Sequence, residues 1–171
     1  MAFLELVKER YSVRSFQNVP IEDEKMAVIL EAGRVAPTAR NFQPQKIYVV
    51  KTAENRAKLG SVCRFTFDAP VILVLAYDAE RAWKNRLVPG YDSGETDTSI
   101  VGTHMMLAAW EQGIGSCWVG YFNPDDVREA LGLPENIRVC ALMPMGYPAE
   151  DAVPLDLHTT YRELDDTVTE L

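Results

Sequence analysis

The sequence predicts an α+β fold, one sheet with helices packed around it. Three observations carry that prediction. The chain has 171 residues, 47% apolar and 25% charged, which suits a single globular domain, residues 1–171, with a real core. Residues 69–77 (APVILVLAY) and 137–146 (IRVCALMPMG) are apolar runs that read as buried strands. Helical and strand-like segments follow in the order αα-β-α-β-α-β-α-β plus a tail. That alternation also fits a doubly wound sheet, but the strand connections are uneven, which favours α+β.

The elements follow in order. Residues 3–9 (FLELVKE) predict a short helix with Phe3, Leu6 and Val7 on one side. Residues 10–20 are polar and irregular, ending at Pro20. Residues 21–34 predict a helix: acids crowd its first turn, where the dipole favours them, and Met26, Ile29, Leu30 and Gly33 share a face. Residues 36–45 form a loop with two prolines, and 46–51 (KIYVVK) a strand. Residues 54–60 make a short helix closed by Gly60, and 69–77 the first buried strand. Residues 78–95 are mixed and read as loop. Residues 96–113 form a long helix, apolar on more than one face, which places it inside the molecule or at a subunit interface. Residues 116–122 (SCWVGYF) read as a short strand. Residues 123–132 start a helix strongly, with Asn123 as N-cap, Pro124 at N1 and two acids behind it. Residues 137–146 are the last strand, and a polar, acidic tail follows Pro148.

Charge and composition exclude several function classes. Seventeen Lys and Arg against 25 Asp and Glu give a net charge of −8, which argues against a nucleic-acid partner. The longest apolar run, residues 69–77, has nine residues, half of what a membrane span of about 18–20 needs. The N-terminus has no apolar h-region and carries Glu5 early, so no secretory signal is expected. Cys63, Cys117 and Cys140 are odd in number and widely spaced, which reads as reduced thiols in a cytoplasmic protein. No phosphate loop, nucleophile elbow or His/Cys/carboxylate metal spacing occurs. His104 reads as a core or interface histidine, and Cys117 as a small buried hydrophobe.

Three segments carry chemistry. In Arg10-Tyr-Ser12-Val-Arg14 three polar side chains fall at alternate positions, so extended backbone points them one way. Two guanidiniums and a hydroxyl make a phosphate clamp, although a solvated basic turn has the same composition. Residues 36–44 (APTARNFQP) combine small residues, prolines and amides, so Asn41, Gln43 and main-chain groups can hydrogen-bond a flat heterocycle; an ordinary connection reads the same. Gly113, Gly115 and Gly120 bracket a short strand where backbone can approach a ligand, or simply turn the chain.

Taken in this order, the segments resemble the FMN-dependent nitroreductase family over nearly the whole chain. RYSVR is similar to its R-x-S-x-R opening, and APTARNFQP to its A-P-S-x-x-N-x-Q-P loop. Asp97 and the following LAAWEQGIGSCWVGYF resemble its D…LAA…G-x-G-x-x-x-x-G stretch, and MPMGYP its closing G-Y-P. The resemblance implies an intertwined homodimer around a mixed sheet, with two FMN sites at the interface. Arg10, Ser12 and Arg14 of one subunit would hold the phosphate and ribityl end. Pro37, Thr38, Ala39 and Asn41 of the other would contact the flavin, with Gln43 supporting their loop. Val119 and Gly120 would lie by the ring, with a backbone N–H near N5. The helix at 96–113 would form the dimer core, and the tail from about residue 149 would wrap the partner. The implied activity is ping-pong hydride transfer from NADH or NADPH through FMN to a nitroaromatic, quinone or similar small acceptor, so no catalytic acid–base residue is expected. The alternative is a flavin sensor or carrier without efficient turnover.

Four features depart from the family pattern. Arg162 is the one candidate for the cation the family places near its C-terminus, and acids surround it. Gln45 stands where an aromatic is common, and Thr38-Ala39 where small serines are common. Residues 78–95 leave little room for the helical insertion of larger members, so an open acceptor pocket is expected.

Overall fold

The computed structural model describes residues 2–171. Four strands form one sheet in the order β1-β2-β4-β3: β1 Gln45–Val50, β2 Val71–Asp78, β3 Gly115–Ser116 and β4 Ile137–Gly146. All three strand pairings are antiparallel. The mixed character expected from the resemblance reduces to one parallel bridge, Ser12 with Ser116.

β2 is buried from Val71 to Ala76 because both its faces are covered. Its side chains alternate, as strand geometry requires. Val71, Leu73 and Leu75 join Ala141, Met143 and Met145 of β4 in one cluster. Helices α2 (Asp23–Arg34) and α4 (Gly94–Glu111) cover that side with Met26, Ile29, Val101, Met105 and Ala109. Ile72, Val74 and Ala76 face the other way, toward Leu59 of α3 (Ala53–Val62) and Val127 of α5 (Pro124–Ala130). The molecule is therefore three layers deep. Helix α1 (Phe3–Glu9) lies outside them and buries only Leu6. Phe3 is exposed and Val7 only half-buried, so the apolar side expected for α1 is largely open.

Local chemistry explains the helix ends. Thr52 Oγ1 accepts from the Asn55 N–H and starts α3, and Asn123 Oδ1 accepts from the Asp125 N–H and starts α5 with Pro124 behind it. Gly60 does not close α3. The helix runs on to Val62, and the Cys63 N–H bonds the Leu59 carbonyl instead. Gly33 lets α2 and α4 approach closely: a Cβ there would lie 2.7 Å from Met105.

The strand expected at 116–122 shrinks to Gly115–Ser116: the Cys117 N–H still donates to the Pro144 carbonyl of β4, but Pro144 has no N–H to return, and pairing is next complete at Val119 opposite Leu142. Helix α4 buries Asp97, Val101, Met105 and Ala109 along one stripe, with Ile100, Met106 and Leu107 only half-buried on its flanks. His104 is exposed on the chain, its Nδ1 2.9 Å from the Ile100 carbonyl oxygen, so it is not a core histidine. Among the described residues no helix is long and apolar enough to cross a membrane, and the three cysteines are unpaired.

Candidate functional site

The Arg10–Arg14 segment leaves α1 in extended backbone and binds the edge of the sheet. Ser12 bridges Ser116, and the Val13 N–H donates to the Ser116 carbonyl at 3.0 Å. Val13 is fully buried, so Arg10, Ser12 and Arg14 stay on the outer side, as alternation predicts. Gly115 is needed here: a Cβ on it would lie 2.6 Å from Val13 Cγ2. Arg14 Nη1 donates to the Ser12 carbonyl at 2.9 Å. Neither Arg10 nor Arg14 has a carboxylate partner among the described residues.

Cys117 lies under this cluster. Burial pushes its thiol up, although Arg14, a hydrogen bond with Ser12 and Arg10 pull it down. Cys117 is buried in the core, as a packed small side chain is. Beside Arg10, Ser12 and Arg14 opens a cavity of about 340 Å³. Its far wall belongs to the tail: Leu157, His158 and Tyr161. Tyr11 pins the root of that tail, its hydroxyl donating to the Ala152 carbonyl at 3.1 Å while its ring packs edge-on against Trp110.

The loop at 36–45 is the most strained backbone in the chain. Arg40, Asn41 and Gln43 all have φ between 50° and 58°, a region L-residues avoid unless the surroundings impose it. A buried carboxylate imposes it. Asp97 Oδ1 accepts from the Ala39 N–H at 2.8 Å, and Asp97 Oδ2 accepts from the Ser93 hydroxyl at 2.7 Å. Inside the loop, Thr38 Oγ1 accepts from the Gln43 N–H, and Gln43 Nε2 donates to Asn41 Oδ1 at 2.9 Å. Gln43 thus supports the loop, and Thr38 uses its hydroxyl internally. Pro37, Asn41 and Gln43 are exposed, with Thr38 and Ala39 half-buried.

Val119 is buried and its N–H donates to the Leu142 carbonyl at 2.9 Å. Of the pair Val119 and Gly120, only exposed Gly120 keeps its N–H outside that ladder. A Cβ on Gly120 would meet nothing within 4 Å, so open space lies beside it.

Within one chain the structure joins the first and third segments at the Ser12–Ser116 bridge, but not the second. The 36–45 loop opens onto a separate cavity shared with residues 80–87, and Gly120 onto another shared with residues 60–64. Arg162 is apart from the clamp: it is 71% exposed and pairs with Asp166, Nε to Oδ2 at 3.8 Å. Two residues outside the candidate binding set, Ser93 and Asp97, fix this geometry. Ser93 had no sequence signal. Asp97 heads the D…LAA stretch of the resemblance; it shares the first turn of α4 with exposed Glu95, and only Asp97 is buried, which a carboxylate tolerates only with partners.

A family model described as "Nitroreductase family" matches residues 7–64 and 61–147. The chain belongs to the nitroreductase family. A nitroreductase family protein from Clostridium difficile 630 is 38% identical, with a TM-score of 0.92 over 99% of this chain and 98% of that one. An FMN-dependent nitroreductase from Clostridium difficile R20291 is 26% identical, with a TM-score of 0.75 over 94% and 98%. A protein of Archaeoglobus fulgidus, provisionally named NADH dehydrogenase/NAD(P)H nitroreductase, is 34% identical over 86% of each chain.

Proposed function

We propose that the chain is an NAD(P)H-dependent FMN oxidoreductase that works as a homodimer in the cytoplasm and reduces a nitroaromatic, quinone or similar small acceptor by a ping-pong mechanism. The observation that carries this reading is the pair of unpaired guanidiniums at Arg10 and Arg14, gathered with the Ser12 hydroxyl at the mouth of a 340 Å³ cavity. An uncompensated cationic pair beside a hydroxyl fits a phosphate monoester, whose oxygens accept Arg forks.

When bound, FMN supplies the hydride chemistry. The chain's own residues bind and orient. Arg10, Ser12 and Arg14 hold the phosphate end. Pro37, Thr38, Ala39 and Asn41 present a rigid polar edge, fixed through Asp97 and Gln43, so little ordering entropy is lost on binding. The Gly120 N–H, outside the ladder, would serve as a hydrogen-bond donor to the flavin ring. Arg162 reaches the phosphate only by leaving Asp166.

The clamp and the 36–45 loop open onto separate cavities of one chain, which supports a site completed by a second copy. The exposed apolar side chains of α1 and of the tail support the same reading, as does the half-covered flank of α4. The tail from about residue 149 then lies over the partner.

The test is the visible spectrum of purified protein before and after anaerobic NADH or NADPH. A yellow protein that bleaches supports the reading and names the donor. A protein that is colourless and ignores added FMN overturns it, and a yellow protein that neither donor bleaches overturns the NAD(P)H assignment in favour of a sensor or carrier.

A further inference from the structure

The largest cavity described, about 610 Å³, lies against the 36–45 loop and away from the clamp. Four of the chain's seventeen basic residues line it: Arg40, Arg81, Lys84 and Arg86. One acid, Glu80, shares the wall. In a chain of net charge −8 this is a concentrated reversal of sign. Lys84 is neutralised by Asp92 at 3.0 Å. Arg40, Arg81 and Arg86 have no carboxylate within ion-pair distance among the described residues. Phe42 and Trp83 supply two aromatic surfaces to the same cavity.

The cationic wall has a fixed scaffold. The Arg81 N–H donates to the Asp78 carbonyl at the end of β2, and the next residue, Ala82, is buried. Lys84 bridges Asp92, the Ser93 N–H donates to the Trp83 carbonyl, and the Asn85 N–H donates to the Tyr91 carbonyl. On the opposite wall, Arg40 sits in the strained turn with φ 50°. Three arginines without carboxylate partners line one open cavity; their like charges repel one another, and a bound anion relieves that repulsion.

We infer that this cavity takes the anionic end of a flat substrate, a carboxylate, sulfonate or phosphate held by Arg40, Arg81 and Arg86, with the ring against Phe42 and Trp83. The inference rests on the flavin reading for what the substrate is used for, but not for its binding. The charge can belong to the acceptor or to the 2′-phosphate that distinguishes NADPH from NADH.

The test is calorimetric titration of 1,4-naphthoquinone-2-sulfonate and of uncharged 1,4-naphthoquinone into the FMN-loaded protein. The sulfonate is expected to bind about tenfold more tightly at low ionic strength, with that advantage shrinking between about 0.02 M and about 0.5 M salt. Arg81→Glu with Arg86→Glu is expected to abolish the preference, and Arg81→Gln with Arg86→Gln to reduce it. The ratios of kcat/KM for sulfonated against parent quinone, and for NADPH against NADH, then locate the anion on acceptor or donor. A shift in either ratio supports the inference. Equal binding of both quinones by the wild type overturns it, as does a preference that survives both salt and charge reversal. Failure of the protein to bleach, with sulfonate selectivity intact, overturns the redox reading and leaves this one standing.

Discussion

The 36–45 loop and the tail beyond residue 149 border different parts of the site, and the chain secures them in opposite ways. The loop is held by its own molecule. Asp97 accepts from the Ala39 N–H, Thr38 Oγ1 accepts from the Gln43 N–H, and Gln43 Nε2 donates to Asn41 Oδ1, so three positive-φ residues are fixed without a partner chain. Among the described residues the tail is hydrogen-bonded to the body at its root, where Tyr11 meets Ala152, the Ala149 N–H meets the Ser15 carbonyl and Gln17 meets Pro148, and further on it touches the body through His158, edge-on to the Tyr11 ring. Beyond the root Val153, Leu155, Leu157, Leu164 and Val168 are all exposed. A segment that keeps five large apolar side chains in water is built to cover another surface. In the proposed dimer, preorganised and unsatisfied parts would form one site, and only the second would depend on a partner.

Four changes sharpen this contrast, from largest effect to smallest. Deleting residues 153–171 removes the apolar row. Burial of each such side chain is worth about 1.5–3 kcal/mol, so association is expected to weaken by more than about a hundredfold. Sedimentation equilibrium reads this, and an undiminished dimer would assign the tail another role. Asp97→Ala strips two donors of their acceptor inside the protein and releases the strained turn. A loss of about 3 kcal/mol in urea unfolding is expected; a midpoint within error of wild type would show that the loop holds itself. Arg14→Ala is expected to weaken FMN binding by about 1.5–3 kcal/mol in a fluorescence titration, with unfolding stability nearly unaltered. Unchanged affinity would remove Arg14 from the phosphate site. Thr38→Ala costs one hydrogen bond within the loop, about 1 kcal/mol or less, visible as a small fall in the same urea midpoint. A loss as large as that of Asp97→Ala would move the anchor of the loop from the helix to the loop itself.

The sequence was most informative where local chemistry and the final fold agree. The 137–146 strand and the α5 cap were legible because apolar patterning and Asn123-Pro124 act locally. The alternation in RYSVR placed Val13 in the core and its neighbours outside, which the Ser12–Ser116 bridge then realises. Gly60 misled because helix contacts carried α3 past it, tertiary packing overriding propensity. The 116–122 strand was only partly real: Cys117 and Val119 still bond β4, but regular pairing is broken at Pro144, which has no N–H to return, and ends at Val119. The strain at Arg40, Asn41 and Gln43 was not legible, since none is Gly and nothing local announces a buried anchor 58 residues away. The cationic cavity was hidden for a like reason: Arg40 and residues 81–86 converge only once β1 and β2 pair.

The central claim is that one copy of the chain carries only parts of a flavin site and that two copies complete it. The direct measurement is FMN occupancy, by quenching of flavin fluorescence, recorded alongside the oligomeric state as the protein is diluted. The account predicts that flavin is released over the same concentration range in which dimers dissociate. Flavin that stays bound to a monomer with undiminished affinity would contradict it.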